Sequence, residues 1–252
     1  MSKRFQNKTV MVSGAGNGLA RAAALGFARE GAALCIIDVD QAGLDSTRSE
    51  AEALGADVLA LNIDLTSRAA CHQAVETAVT HFGKLDVLCN IAGIVRMHQV
   101  ADVSEDEWNK LMSINLAAPF WLSQAAIPHL LKSHGNIVNC ASQSSLKGSA
   151  YIVPYSMTKG AIVMMTKSMA MEFINAPIRI NAVSPGTMAN TNMTTGMSIP
   201  DGIDPALFMR YGGIRPAAEP EDVASLFLYA ASDDARAVHG AILCADGGTT
   251  AD

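Results

Sequence analysis

Tyr155 and Lys159 stand four residues apart in Tyr155-Ser-Met-Thr-Lys159, and Ser142 lies thirteen residues upstream. On a helix, residues i and i+4 share a face, so the phenol and the ammonium can point into one cleft. A cation beside a phenol stabilises the phenolate and lowers its pKa from the ordinary value of about 10. The pair then offers a proton donor and acceptor usable near neutral pH. Ser142, on a preceding loop, could hydrogen-bond the same substrate oxygen. A Tyr and a Lys at this spacing are equally an ordinary exposed pair on a helix surface. The choice rests on what the rest of the chain places around them.

The 252 residues suffice for one large α/β domain or two small ones. Half of them are apolar and 17% are charged, which favours a sizeable core over disorder. A net charge of −6 argues against a nucleic-acid or anionic-membrane surface, either of which needs clustered Lys and Arg. The five cysteines (Cys35, Cys71, Cys89, Cys140 and Cys244) are odd in number, widely spaced and free of any CxxC pair. Four of them fall in apolar, strand-like runs, where a thiol is a small hydrophobe. A reducing, cytoplasmic setting is expected. The apolar segment after Met1-Ser-Lys-Arg-Phe-Gln-Asn-Lys8 is too short for a signal sequence, and nothing approaches a membrane-spanning length.

Short apolar runs alternate with longer amphipathic ones. The pattern predicts strands at Thr9–Ser13, Ala33–Asp38, Asp57–Asn62, Leu85–Asn90, Asn136–Ala141, Ile178–Ser184 and Ala241–Ala245. Helices are predicted at Gly18–Arg29, Gln41–Leu54, Arg68–Phe82, Ser104–Leu131, Tyr155–Phe173 and Pro220–Ala231. Ser104-Glu-Asp-Glu107 has the form of a capping box, and Pro220-Glu-Asp suits a first helical turn. Strand–helix alternation implies βαβ units, and strands this apolar fit a parallel sheet covered on both faces. No repeat or linker interrupts the pattern. One doubly wound Rossmann-type domain over residues 1–252 is expected, with about seven strands.

The first βα turn carries a cofactor signal: Gly14-Ala-Gly16-Asn-Gly18-Leu19-Ala20 follows the first strand and opens a helix. Glycines permit a tight turn and close approach of a pyrophosphate, which the free N–H groups of the helix end can hold. A lone glycine triplet is weak, but here an acid ends the second strand. Asp38, twenty residues past Gly18, can accept hydrogen bonds from both adenosine ribose hydroxyls and repel a 2′-phosphate. Neither Asp38 nor the turn residue Asn17 is basic, so NAD is expected over NADP.

With these motifs in order, the chain resembles the short-chain dehydrogenase/reductase family from about Lys8 to its C-terminus. The glycine turn resembles the family's Thr-Gly-x3-Gly-x-Gly, with Ser13 for Thr and Ala20 for the last Gly. The resemblance places Gly14, Asn17, Gly18 and Leu19 at the cofactor, with Asp64 and Leu65 on the adenine ring. Asn90-Ile-Ala92-Gly93 resembles Asn-Asn-Ala-Gly, in which Asn90 braces the central strand and Ala92 and Gly93 let the cofactor pass. Ile91 replaces the second Asn. Pro185-Gly186 resembles the turn over nicotinamide, with Met188 bonding the carboxamide through its backbone. Asn190 stands where the family often has Thr, and Thr191 follows, so either could touch the pyrophosphate. Asp246-Gly-Gly248 matches the closing strand and turn.

By the same resemblance Asn115, Ser142, Tyr155 and Lys159 form the catalytic tetrad. Asn115 would bend its helix and hold a water linking Lys159 to solvent. In alcohol oxidation Tyr155 as phenolate would take the hydroxyl proton while Ser142 holds the developing carbonyl oxygen. Lys159 would lower the phenol's pKa and bind the nicotinamide ribose. A substrate lid is expected at about 189–218, where Met193, Met197, Ile199, Leu207, Phe208 and Met209 could line an apolar pocket or only pack the lid down. Arg96 and His98 could reach an anionic substrate group or sit on a solvated rim. No metal site is expected, since His98 has no partner at ligand spacing. Trp108, Phe120, Trp121, Met164, Met165, Met169 and Met171 exceed what one buried face requires, and the resemblance implies a homodimer or homotetramer.

The expected function is NAD-dependent interconversion of a secondary alcohol and a ketone on a largely apolar small molecule, alicyclic, terpenoid or steroid-like. The alternatives are a 3-oxoacyl thioester reductase and, in another class, a non-catalytic NAD sensor or scaffold. The first usually wants NADPH and a basic docking patch; the intact tetrad speaks against the second.

Overall fold

A computed structural model of the chain describes residues 3–191, 199–213 and 215–251. The Met193 and Met197 of the expected pocket lie outside these residues. Strand and helix alternate from the start: β1 (Thr9–Ser13), α1 (Gly18–Arg29), β2 (Ala33–Asp38), α2 (Gln41–Ala53), β3 (Val58–Asn62), α3 (Arg68–Phe82) and β4 (Val87–Asn90). Then follow α4 (Glu105–Met112), α5 (Ala118–Ser133), β5 (Asn136–Cys140), α6 (Val153–Glu172) and β6 (Arg179–Pro185). A short α7 (Pro205–Met209), α8 (Pro220–Ala231) and β7 (Ile242–Ala245) complete the chain.

The seven strands form one parallel sheet in the order β3-β2-β1-β4-β5-β6-β7. The order turns back between β1 and β4, and such a switch point opens a crevice at the carboxyl ends of the strands. One face is packed by α1 and α8 through Phe27, Leu25, Phe227 and Leu228. The other is packed by α3, α5 and α6 through Val75, Leu122, Leu130 and Met169. Both faces are therefore covered, as the unbroken apolar strands require.

The chief departure from the sequence reading is the long helix expected at Ser104–Leu131. It is two helices joined by a π-helical turn, Ser113–Ala117, in which the Ala118 N–H reaches the Ser113 carbonyl. Pro119 has no N–H to give the Asn115 carbonyl four residues earlier, so the α-helical ladder cannot run through this point. Ser104 caps α4 by accepting from the Glu107 N–H at 3.2 Å. Other strand and helix ends fall within two residues of expectation.

Candidate active site

The loops leaving β1 to β6 meet over the switch point and enclose a cavity of about 510 Å³. Gly14, Asn17, Gly18, Leu19, Asp38, Asp64, Leu65, Ala92 and Gly93 line one end, and Ser142, Tyr155, Lys159, Pro185, Gly186 and Met188 the other. Of the expected site residues, Asn90 and Asn115 stand behind the wall rather than in it.

The glycine turn is shaped for close approach. Gly14 has φ +79°, and a Cβ there would sit 2.8 Å from the Ala92 Cα. Ser13 ties the same two loops: its Oγ accepts from the N–H groups of Ile91 (3.1 Å) and Ala92 (3.2 Å). Asp38 Oδ2 accepts from the Gly16 N–H at 2.8 Å and Oδ1 from the Asp40 N–H at 2.9 Å. The acid thus pins the turn while lining the cavity. Behind the wall, Asn90 Nδ2 donates to Asn139 Oδ1 (2.8 Å), and Asn139 Nδ2 donates to Thr166 Oγ1 (2.9 Å). This chain braces β4, β5 and α6 with Ile91 in place of the family's second Asn. A glycine-lined cleft at a helix N-terminus, ending on a carboxylate, fits a dinucleotide. Thr191 is buried and lines the cavity, whereas Asn190 is exposed and bonds Glu219 at 3.3 Å, so Thr191 is the better placed of the two.

Asn115 is almost fully buried at the π turn. Its amide meets the backbone of Ile94 twice, Oδ1 accepting from the N–H at 2.9 Å and Nδ2 donating to the carbonyl at 2.8 Å. It therefore fixes the segment after β4 against α6, where Thr158 Oγ1 lies 3.4 Å from Nδ2. Tyr155 and Lys159, both on α6, are 5% and 3% exposed, which excludes the reading of an exposed surface pair. Lys159 Nζ donates to the Cys140 carbonyl at 2.8 Å and lies 5.8 Å from the Tyr155 ring centroid. Ser142 is buried beside them and accepts from the Ser144 N–H at 3.2 Å.

A family profile described as enoyl-(acyl carrier protein) reductase matches residues 14–250. The chain is 37% identical over 248 residues to meso-2,3-butanediol dehydrogenase of Serratia marcescens, covering 98% of this chain and 96% of that one. It is 33% identical over 246 residues to 3-oxoacyl-[acyl-carrier-protein] reductase of Thermotoga maritima, with 97% and 98% covered. A crystal structure of a short chain dehydrogenase from Mycobacterium paratuberculosis bound to NAD superposes with TM-score 0.91 at 25% identity, covering 99% of this chain and all of that one. The chain belongs to the short-chain dehydrogenase/reductase family.

This short-chain dehydrogenase/reductase is an oxidoreductase of CH–OH groups, and its family and NAD-bound neighbour point to a nicotinamide cofactor. Two sequence expectations need correction. First, the Tyr155 phenol is held above its ordinary range rather than below it: burial pushes it up, against the Ser142 hydroxyl. The ammonium is drawn over the ring to the Cys140 carbonyl, so desolvation of the phenolate outweighs it. Second, among the described residues of the expected lid, Ile199, Leu207 and Met209 are exposed, and Phe208 packs inward, onto a cluster of Val95, Met97, Ile152, Tyr155, Tyr151 and Tyr211. Tyr151 and Tyr211 went unnoticed because their roles depend on loop geometry. A Tyr four residues before Tyr155 was the available hint.

Arg96 and His98 turn toward α4: Arg96 Nε lies 3.8 Å and His98 Nε2 3.9 Å from Glu107 Oε2. Arg96 is thus neutralised by an acid, which weakens the case for an anion site. Among the described residues, no helix is long and apolar enough to cross a membrane.

Proposed function

We propose that this protein is an NAD-dependent dehydrogenase interconverting a secondary alcohol and a ketone on a neutral, largely apolar small molecule. The observation that carries this reading is the burial of Ser142, Tyr155 and Lys159 in one cavity with the glycine turn and Asp38. Gly14, Asn17, Gly18, Leu19, Asp64, Leu65, Asn90, Ala92, Gly93, Pro185, Gly186 and Met188 would hold or frame the cofactor. Asp38 would accept from the adenosine ribose and disfavour a 2′-phosphate. When bound, nicotinamide supplies the hydride acceptor.

The chain's own residues handle the proton. Tyr155, as phenolate, takes it from the substrate hydroxyl, Ser142 holds the oxygen as it becomes a carbonyl, and Lys159, with Nζ 5.8 Å from the Tyr155 ring centroid, passes the proton on toward solvent. A general acid–base residue of this kind contributes about 10²–10⁴-fold. Asn115 keeps the Ile94 segment against α6 so that the walls meet. The Val95, Met97, Phe208 and Tyr211 side supports an apolar substrate. The carrier-protein alternative is disfavoured by the acidic chain and by an Arg96 already paired with Glu107. Exposed Trp108, Phe120, Met164 and Met171 on α4, α5 and α6 support a homodimer or homotetramer. The deciding test is a screen of secondary alcohols with NAD and NADP in parallel, read by reduced-cofactor absorbance. Turnover with NAD is expected; preference for NADP would sink the Asp38 argument.

A further inference from the structure

The glycine turn opens into the cavity through the N-terminal end of α1. Asn17 stands at the N-cap without a side-chain bond, and Asn17, Gly18, Leu19 and Ala20 line the cavity. The first N–H groups of a helix have no partner within it, so those of α1 are left for a ligand. The N–H groups just before them are already committed. Those of Gly14 (2.7 Å) and Ala15 (3.0 Å) both go to the Ile37 carbonyl, and that of Gly16 goes to Asp38 Oδ2 at 2.8 Å. The Ala15–Gly16 peptide leads directly into Asn17, so its orientation governs what the turn presents.

That peptide has a second hold, on a residue outside the sequence motifs. Thr47, on α2, is fully buried, and its Oγ1 donates to the Ala15 carbonyl at 2.8 Å. A helical Thr by default bonds the carbonyl four residues back, and here the Gly43 carbonyl lies at 3.0 Å. A hydroxyl has one proton to give, and the shorter contact is to Ala15. Ala15 is itself fully buried, and among the described residues its carbonyl receives no other hydrogen bond. The approach of α2 depends on glycine at 43, where a Cβ would sit 2.5 Å from the Gly16 carbonyl oxygen. One peptide plane is thus clamped at both edges, its C=O by Thr47 and its N–H by Asp38. Glycine at 16 leaves that plane free to rotate once a hold is lost.

We infer that Thr47 is a positioning residue for the cofactor's pyrophosphate: its hydroxyl holds the Ala15 carbonyl on the α2 side, so that the turn offers N–H groups to the phosphates. Neither Ala15 nor Thr47 lines the cavity, so the effect passes through the peptide plane and not through contact. Without the hydroxyl a buried carbonyl is left unpaired, and rotation that relieves it carries a partial negative charge toward the anion. The cavity walls at Asp64 and Leu65 take no part in the clamp. This inference rests on the NAD reading above.

The test is a displacement titration on the full chain. Bound NADH is followed by its fluorescence and displaced by ADP-ribose, which carries the pyrophosphate, or by adenosine, which carries none. Thr47→Val keeps the side-chain shape and removes the donor. It should weaken NADH and ADP-ribose roughly fivefold, the scale of one neutral hydrogen bond, and leave adenosine unchanged. Thr47→Ser restores the donor and should return ADP-ribose affinity to that of wild type. Thr47→Ala gives the same contrast should Thr47→Val not fold. A Thr47→Val protein with a lower melting temperature and wild-type ADP-ribose affinity makes Thr47 a core residue and overturns the inference. So does an equal loss on adenosine, or a Thr47→Ser protein as weak as Thr47→Val. Wild type that binds NADPH in place of NADH overturns the NAD reading, while ADP-ribose against adenosine still decides the clamp. Wild type that binds none of these ligands overturns both.

Discussion

Replacing Asn115 by Ala removes an amide whose two ends are both committed to one residue. The Ile94 N–H loses an acceptor at 2.9 Å and the Ile94 carbonyl a donor at 2.8 Å. Leaving a buried backbone group unpaired costs about 1–3 kcal/mol. Ile94 is only half-buried, so the lower part of that range applies to each group, and the pair sums to about 2–4 kcal/mol. For a chain of this size that corresponds to a melting shift of roughly 5–15 °C. The assay is urea unfolding followed by circular dichroism, where the midpoint should fall while the slope holds. Asn115→Asp offers a second reading: it keeps an acceptor for the N–H but sets carboxylate oxygen against carbonyl oxygen. It should be worse than Ala at neutral pH and should recover as the carboxyl is protonated. An Asn115→Ala protein with wild-type stability would refute the pinning role. Loss of turnover alone would then point to a purely chemical role for the side chain.

Tyr155→Phe should retain cofactor binding by fluorescence titration while alcohol oxidation falls by about 10²–10⁴-fold. Because burial raises the phenol above its ordinary value, the phenolate fraction of wild type, and with it kcat/KM for oxidation, should climb through the alkaline range. The stability effect has the opposite sign. A group with a raised folded pKa contributes fully below the unfolded value of about 10, and that contribution is lost as pH rises further. Melting curves above that pH should therefore fall more steeply for wild type than for Tyr155→Phe. Asp38→Ser should move the NAD-to-NADP ratio of kcat/KM toward NADP and, by freeing the Gly16 N–H, weaken NAD binding as well; an unchanged ratio would remove Asp38 as the selector. Gly14→Ala should be poorly folded or lose cofactor affinity, since its φ of +79° disfavours a side chain and the new Cβ meets the Ala92 Cα at 2.8 Å.

The sheet and the floor of the site were readable from the sequence because hydrophobic burial and glycine sterics act locally there. Strands such as β1 and β5 are short apolar runs between turn residues, and the carboxyl end of each strand places its loop within a residue or two. Gly14, Asp38, Ser142 and Tyr155 sit at such ends or one turn into a helix, so their spacing together with the family resemblance brought them together. The π turn escaped because its cause is a missing N–H at Pro119, which periodicity does not register. The direction of the Tyr155 pKa escaped for a different reason: spacing brings a cation near the ring but says nothing of desolvation or of the competing Cys140 carbonyl. Within the lid, from about 192 to 218, the signal was compositional only. Leu207 and Met209 have the chemistry of pocket residues, yet on α7 it is Phe208 that turns inward while they stay exposed.

Tyr151 shows why the substrate side obeys different physics. It holds φ +66°, a left-handed conformation uncommon for any bulky side chain. Such strain costs about 1–3 kcal/mol and persists only where the surroundings over-determine it. Here its carbonyl accepts from the His98 N–H at 2.8 Å and its hydroxyl from the Asp204 N–H at 2.8 Å. One strained residue thus joins the loop after β4, the start of α6 and the segment carrying α7, the three walls of the proposed substrate side. A relaxed backbone at this point would leave the fold intact, since none of these bonds belongs to the sheet or its covering helices. What it would lose is the fixed offset between the phenol of Tyr155 and the apolar wall. The strain at Tyr151 therefore serves geometry rather than stability, and it lies four residues from Tyr155, the residue proposed to carry the proton.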